Sequence, residues 1–302
     1  MSHVITAIGH SVLGATENGA ISEVLKSSPV VVSSFKLLSR DKATDFFVDI
    51  HANTDIVELR NKLKTAVPNV DLILQENTDF RKEKGLIVFD MDSTLIQQEV
   101  IEMIAAQANV EDKVAEITTR AMNGELDFKQ SLSERVALLK GIHSQTLWDD
   151  LKPQLSFTPG VRELCKFMKS KGCKLAVCSG GFLPLAEYVK EELGLDYAFA
   201  NLLKTEIVGD VEILSGETIG DIVDGERKRD LLVRLAAENG VDLRNTVAVG
   251  DGANDLLMME KSGFGVAWNA KPTVQLKAPA CLNSKSLKDV LYMFGYSDID
   301  IN

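Results

Sequence analysis

The sequence predicts an α/β protein: a doubly wound parallel sheet with a helical cap insertion, preceded by a smaller α+β unit. Three observations predict it. Short apolar runs at Leu86–Phe89, Lys174–Cys178 and Thr246–Val249 each end in polar or glycine-rich residues, and Gly263–Ala267 resembles a further strand. Helical stripes lie between them: Val161, Leu164, Cys165 and Met168 share one face, as do Leu231, Leu232 and Leu235 in part. Strands alternating with helices imply a parallel sheet covered on both faces. The third observation is an interruption at about residues 105–155. There Val114, Ile117 and Ala121, then Leu132, Val136 and Leu139, repeat at helical spacing. Inserted after the first strand, these helices are expected to sit over the site as a cap.

Residues 1–80 read as a separate unit. Extended apolar runs occur at Val4–Ile8, Val30–Leu38, Thr44–Ile50 and Val70–Gln75. A helix is expected near Ile21–Lys26, and another where Ile56, Leu59, Leu63 and Val67 recur. The resulting order, β-α-β-β-α-β, is the ferredoxin-like plan. The charged stretch Arg81–Lys84 reads as a linker, dividing the chain into 1–80 and 85–302.

Composition narrows the function classes. A 302-residue chain that is 45% hydrophobic and 25% charged can build a large core or two. Its formal net charge of −11 argues against nucleic acid, which needs a basic face. A small anionic substrate remains compatible, because a metal or a few cations reverse the field within one pocket. Cys165, Cys173, Cys178 and Cys281 form no CxxC and read as buried reduced thiols. The N-terminus lacks the basic and apolar regions of a secretory signal, and no apolar run reaches membrane-spanning length. A cytoplasmic protein without membrane partners is expected.

Ligands of parallel sheets bind beyond the carboxyl ends of the strands, so the polar run ends are where chemistry belongs. The first strand ends in Phe89-Asp90-Met91-Asp92-Ser93-Thr94. Two carboxylates at this spacing suit a divalent cation and phosphoryl transfer. One can bind metal and attack, while the other exchanges a proton with the leaving group. Alternatively, Asp92 or Ser93 caps a helix beginning near Leu95. The second run ends in Cys178-Ser179-Gly180-Gly181-Phe182, whose hydroxyl and amides can cradle a phosphate, or simply make a tight turn. The third ends in Gly250-Asp251-Gly252-Ala253-Asn254-Asp255, oxygen-rich and suited to a hard cation, or to capping.

Taken together, in this order, the three strand ends resemble the haloacid dehalogenase superfamily of phosphohydrolases. The resemblance implies Asp90 as nucleophile, Asp92 as general acid/base, Ser179 and Gly180 at the phosphate, and Asp251 on the metal. It also makes Lys228, in Gly225-Glu226-Arg227-Lys228, the phosphate-binding lysine. Mg²⁺ is the implied cofactor, held by Asp90, Asp92 (through its backbone carbonyl) and Asp251. Asn254 and Asp255 are expected to orient groups around it.

Further motifs narrow the resemblance to the phosphoserine phosphatases, particularly the fungal-type members. They include Gln98-Glu99-Val100-Ile101-Glu102, Arg120-Ala121-Met122, Leu126-Asp127-Phe128, Arg135 and Ala267-Trp268-Asn269-Ala270-Lys271-Pro272. Phosphoserine carries a carboxylate and an ammonium besides its phosphate. Arg135 can hold the first bidentately and Glu99 the second. By resemblance these are their roles, with Met122 and Phe128 as apolar cap contacts. Residues 1–80 look like an accessory, ACT-like segment, read as a folding or dimerising appendage, so that a homodimer through it is an expectation. A phosphotransferase using the same phosphoenzyme is the related alternative.

Overall fold

The computed structural model describes residues 2–301, excepting the side chain of Met122. In the N-terminal unit the apolar runs become strands β1 (His3–Gly9), β2 (Val30–Ser39), β3 (Ala43–Ile50) and β4 (Val70–Glu76). Helix α1 (Ala15–Ser27) follows β1, and α2 (Ile56–Lys64) follows β3. The order β2-β3-β1-β4, with every pairing antiparallel, is the ferredoxin-like arrangement that the sequence pattern predicts. Asp55 starts α2 by accepting hydrogen bonds from the Val57 and Glu58 amides. The helices then bury Ile21, Leu25, Leu59 and Leu63 against Ile5, Ala7 and Val48.

The second unit begins with β5 (Leu86–Phe89). Four helices follow before the next helix–strand pair: α3 (Val100–Ala108), α4 (Glu111–Met122), α5 (Phe128–Ala137) and α6 (Ser144–Leu151). This is the expected helical insertion. Next come α7 (Val161–Ser170), β6 (Lys174–Phe182), α8 (Leu183–Leu193), β7 (Tyr197–Val208) and β8 (Val211–Ile219). The chain continues through α9 (Gly225–Glu238), β9 (Thr246–Gly250), α10 (Leu256–Lys261) and β10 (Phe264–Trp268). It closes with α11 (Pro272–Lys277), β11 (Ala280–Leu282), α12 (Val290–Met293) and α13 (Asp298–Ile301).

The seven strands lie in the order β11-β10-β9-β5-β6-β7-β8 and are parallel except for the β7–β8 hairpin. Leu164, Met168, Leu185 and Val189 pack one face of the sheet; Leu231, Leu235, Met258 and Met259 pack the other. Both faces are therefore dry around β5, β6, β9 and β10, and these strands carry their polar residues only at the ends. All four cysteines are free and buried, as expected. Among the described residues, no helix is long and apolar enough to cross a membrane.

The hairpin supports the cap. Gly141 donates its amide to the Leu214 carbonyl, and Leu214 returns one to Ile142, each at 2.8 Å. Ser144 Oγ donates to Glu212 Oε2 at 2.6 Å.

The stretch read as a linker is more than a tether. Arg81 is buried and binds Asp45 through Nη1 and Nη2 at 2.8 and 2.7 Å. The same guanidinium donates to Thr6 and to the carbonyls of Tyr292 and Met293, so it pins the first sheet to α12. Arg81→Met strands Asp45 without a cation and should cost about 3–5 kcal/mol of stability. Denaturant unfolding measures this; a loss below about 1 kcal/mol, the range of exposed pairs, would contradict the clamp.

Candidate active site

The strand ends converge as the sequence argument requires. Asp90 leaves β5 with its amide donating to the Val249 carbonyl at 2.9 Å, which extends the ladder to β9. Its carboxylate is held at 2.8 Å by Lys228 Nζ, which also donates to Asp255 Oδ1 at 2.7 Å. Lys228 and Asp255 are wholly buried. Lys228 reaches this point from the first turn of α9, which Asp224 caps by accepting from the Arg227 amide. Burial alone would lower the lysine's pKa, but Asp255 and Asp90 outweigh it and hold the ammonium charged.

Asp92 has a different environment. Residues 92–95 form a turn, Ile96 bridges to Phe157, and the helix expected near Leu95 begins instead at Val100. Asp92 Oδ2 accepts from the Val100 amide at 3.1 Å, while Oδ1 is buried with no partner. Burial, followed by the charges of Glu99 and Asp90, pushes its pKa well above the usual carboxylate value. A carboxyl whose pKa is raised in this way is suited to holding and donating a proton. Ser93, in a left-handed conformation (φ 53°), turns its hydroxyl to donate to Glu99 Oε1 at 2.7 Å.

At the end of β6, Ser179 is fully buried and its Oγ accepts from the Gly181 amide at 2.8 Å. A Cβ on Gly180 would stand 3.0 Å from the Phe128 ring, so glycine allows cap and loop to approach. Asn201, which the sequence reading did not single out, ties this loop to the segment before α9. Its Nδ2 donates to the Gly180 carbonyl and its Oδ1 accepts from the Val223 amide, both at 2.8 Å. A buried amide inside an otherwise apolar strand start was the available signal.

The third strand end completes an acidic cluster. Carboxylate oxygens of Asp90, Asp251 and Asp255 lie within 4.8 Å of one another. Burial, then Asp90 and Glu99, push the Asp251 carboxyl up to about 7. Asp255 has Oδ1 on Lys228 and Oδ2 on the Gly252 amide, which leaves Asp90 and Asp251 as the carboxylates open to an ion. Gly250 is required beneath them, because a Cβ there would come within 2.3 Å of Asp255. All-oxygen donors and one lysine among several buried carboxylates fit a hard divalent cation.

These groups share a cavity of about 230 Å³ with part of the cap. Phe128, Leu132 and Arg135 line it from one face of α5, opposite Asp90, Asp92, Ser179, Gly180, Asp251 and Asn254. Glu99 joins them from the residue preceding α3. Arg135 donates from Nε to the Ser131 carbonyl at 3.1 Å. Burial pulls its pKa below the usual value against the opposing charges of Glu99 and Asp92. Ile101 and Phe182 also line the cavity, although the sequence reading did not select them. Of the residues expected here, Met122 has a side chain outside the described residues.

The family model of haloacid dehalogenase-like hydrolases matches residues 85–263. The chain is 48% identical to the phosphoserine phosphatase of Saccharomyces cerevisiae, over 99% of this chain and 97% of that one. The chain belongs to the phosphoserine phosphatase family of haloacid dehalogenase-like hydrolases. A solved family hydrolase from Salmonella enterica serovar Typhi superposes with a TM-score of 0.80 at 27% identity, covering 97% of this chain and 98% of its own. A phosphoserine phosphatase solved as a phospho-aspartyl intermediate analogue has a TM-score of 0.63 at 43% identity, covering 70% of this chain and 99% of its own. That phosphatase likeness, unlike the Salmonella one, leaves part of this chain unmatched.

Proposed function

We propose that the protein hydrolyses O-phospho-L-serine to serine and phosphate through an aspartyl-phosphate on Asp90, the last step of serine biosynthesis. The carrying observation is one small cavity with Asp90 and Ser179 at one wall, Lys228 buried behind Asp90, and Glu99 and Arg135 at another. A phosphate, a carboxylate and an ammonium on one small molecule call for that combination.

Ser179, the backbone of Gly180 and Lys228 hold the phosphoryl oxygens, and Asp90 attacks phosphorus in line. The Asp90–phosphorus bond forms as the phosphorus–oxygen bond to serine breaks, and Asp92 delivers its proton to that oxygen. Asp92 then takes a proton from the water that attacks the phosphorylated Asp90, which returns the carboxylate and releases phosphate. Asp90, Asp251 and the Asp92 carbonyl would hold Mg²⁺, which when bound neutralises charge on the phosphoryl group. Asn254 and Asp255 orient this wall, Asp255 through Lys228. Arg135 takes the substrate carboxylate, Glu99 the ammonium, and Phe128 packs its short apolar stem. The cap, at about 105–155, excludes bulk water.

The first test is phosphate release from L-phosphoserine and a panel of other phosphate esters, with Mg²⁺ and with EDTA. Selective, chelator-sensitive release from phosphoserine supports the proposal; equal rates across the panel would remove the substrate assignment. Arg135→Ala should lower kcat/KM for phosphoserine about 100-fold, since a charge-assisted bidentate contact contributes roughly 3 kcal/mol. Its effect on an ester lacking the carboxylate should be small. An equal loss on both would show that Arg135 acts on folding or chemistry rather than recognition.

The division into residues 1–80 and 85–302 is part of the proposal, with a cytoplasmic setting. So is a homodimer through residues 1–80, supported by edge strand β2, where Val31, Phe35 and Leu37 are exposed. Solution mass of the full chain tests it.

A further inference from the structure

A second polar cavity, of about 240 Å³, lies between the two units and away from Asp90. Arg60 of α2, Arg81 and Lys84 between the units, and Arg244 before β9 line it; Glu76 is its one carboxylate. In a chain of net charge −11 this local excess of cations is unusual. Two of the four are already neutralised. Arg81 is bound to Asp45, and Arg244 is bound to Asp242 at 2.7 Å.

The other two are not. Among the described residues, Arg60 has no ion-pair partner, and its Nε is buried without a hydrogen bond. Lys84 is buried, donates to the Phe80 carbonyl at 2.6 Å, and has no carboxylate partner among the described residues. Its ammonium lies 5.6 and 5.5 Å from the ring centres of Phe264 and Phe294. Burial, then the charge of Arg81, pulls its pKa down to about 8, as befits an ammonium lacking a counter-ion. Ring faces and one carbonyl give such a charge only partial compensation.

We propose that this cavity is a binding site for a small phosphate-class dianion, held by Arg60 and Lys84 with Arg244 at the rim. Two uncompensated cations match two negative charges, and the cavity has room for free phosphate or a small phosphomonoester. Arg60 belongs to the first unit, Lys84 to the segment leading into the second, and Arg244 to the second unit itself. A bound dianion therefore bridges them and strengthens the seam that Arg81 already clamps.

The test is calorimetric titration of inorganic phosphate into the full-length protein with EDTA present, at constant ionic strength. A Ser179→Ala background weakens binding at the Asp90 cavity. The proposal expects a remaining site whose affinity falls at least tenfold in Arg60→Gln and in Arg244→Gln. Both side chains can be shortened without unpairing a buried acid, so the variants should fold, and neither should change phosphoserine turnover without added anion. Glycerol phosphate in a parallel arm distinguishes the sources: tighter binding than free phosphate identifies an ester as ligand. No remaining site in the Ser179→Ala background, or one unchanged by Arg60→Gln, would overturn the proposal. So would equal binding of chloride.

Discussion

Asp90→Asn should lower kcat for phosphoserine by about four orders of magnitude or more, the scale seen when a covalent nucleophile is removed. Asparagine keeps nearly the same shape and can still accept from the Met91 amide, which Asp90 Oδ1 does at 2.7 Å. What it lacks is the negative charge and the nucleophilic oxygen. Lys228 keeps Asp255 as its partner, so the fold should remain. A substrate complex should form in the variant, because Arg135, Glu99 and Ser179 are untouched. Single-turnover kinetics separate the outcomes: binding with no phosphoserine cleavage is expected. Turnover within about tenfold of normal would mean that water attacks phosphorus directly.

Lys228→Met has a double effect. In the folded protein Nζ bridges Asp90 and Asp255 at 2.8 and 2.7 Å with no exposure. Removing it leaves two buried carboxylates facing each other, a situation that costs about 3–5 kcal/mol. The same substitution removes a positive charge from the phosphoryl site, for which a loss of about 100-fold or more in kcat is expected. The stability loss should shrink as pH falls, because protonation of either acid relieves the repulsion. Thermal unfolding at neutral and acidic pH checks the first effect and initial rates the second. A fully stable but inactive variant would leave the phosphate role intact and contradict the buried ion network.

The regular parts of this architecture were legible because burial leaves a periodic trace. Ile56, Leu59 and Leu63 mark α2 with one face, and the run Leu86–Phe89 marks a strand dry on both sides. The β7–β8 hairpin left a weaker trace: much of it is exposed, including Ile207 and Val208, so apolar positions do not alternate cleanly. Its turn at Gly209, with φ 63°, was the readable signal. Arg81 and Lys84 misled for another reason. Charge in a short connecting stretch normally means solvent, and only the three-dimensional neighbours Asp45 and Met293 show that Arg81 is buried. The same limit applies to Asn201, whose partners Gly180 and Val223 lie 21 and 22 residues away. Strand-end acids could be read because topology alone brings strand ends together; Arg135 and Glu99 required the resemblance, since nothing local distinguishes them from a solvated helix face.

The most direct test of the account is to trap the phosphoryl group on the protein. Asp92→Asn removes the proton donor of the first step as well as the base that activates water in the second, so the phosphoenzyme should form slowly and decay more slowly still. After mixing with labelled L-phosphoserine and Mg²⁺ and rapid acid quench, peptide mapping should find a hydroxylamine-labile phosphoryl group on the Asp90 peptide. Release of labelled phosphate with no protein-bound label, or label on any other residue, would contradict catalysis through Asp90.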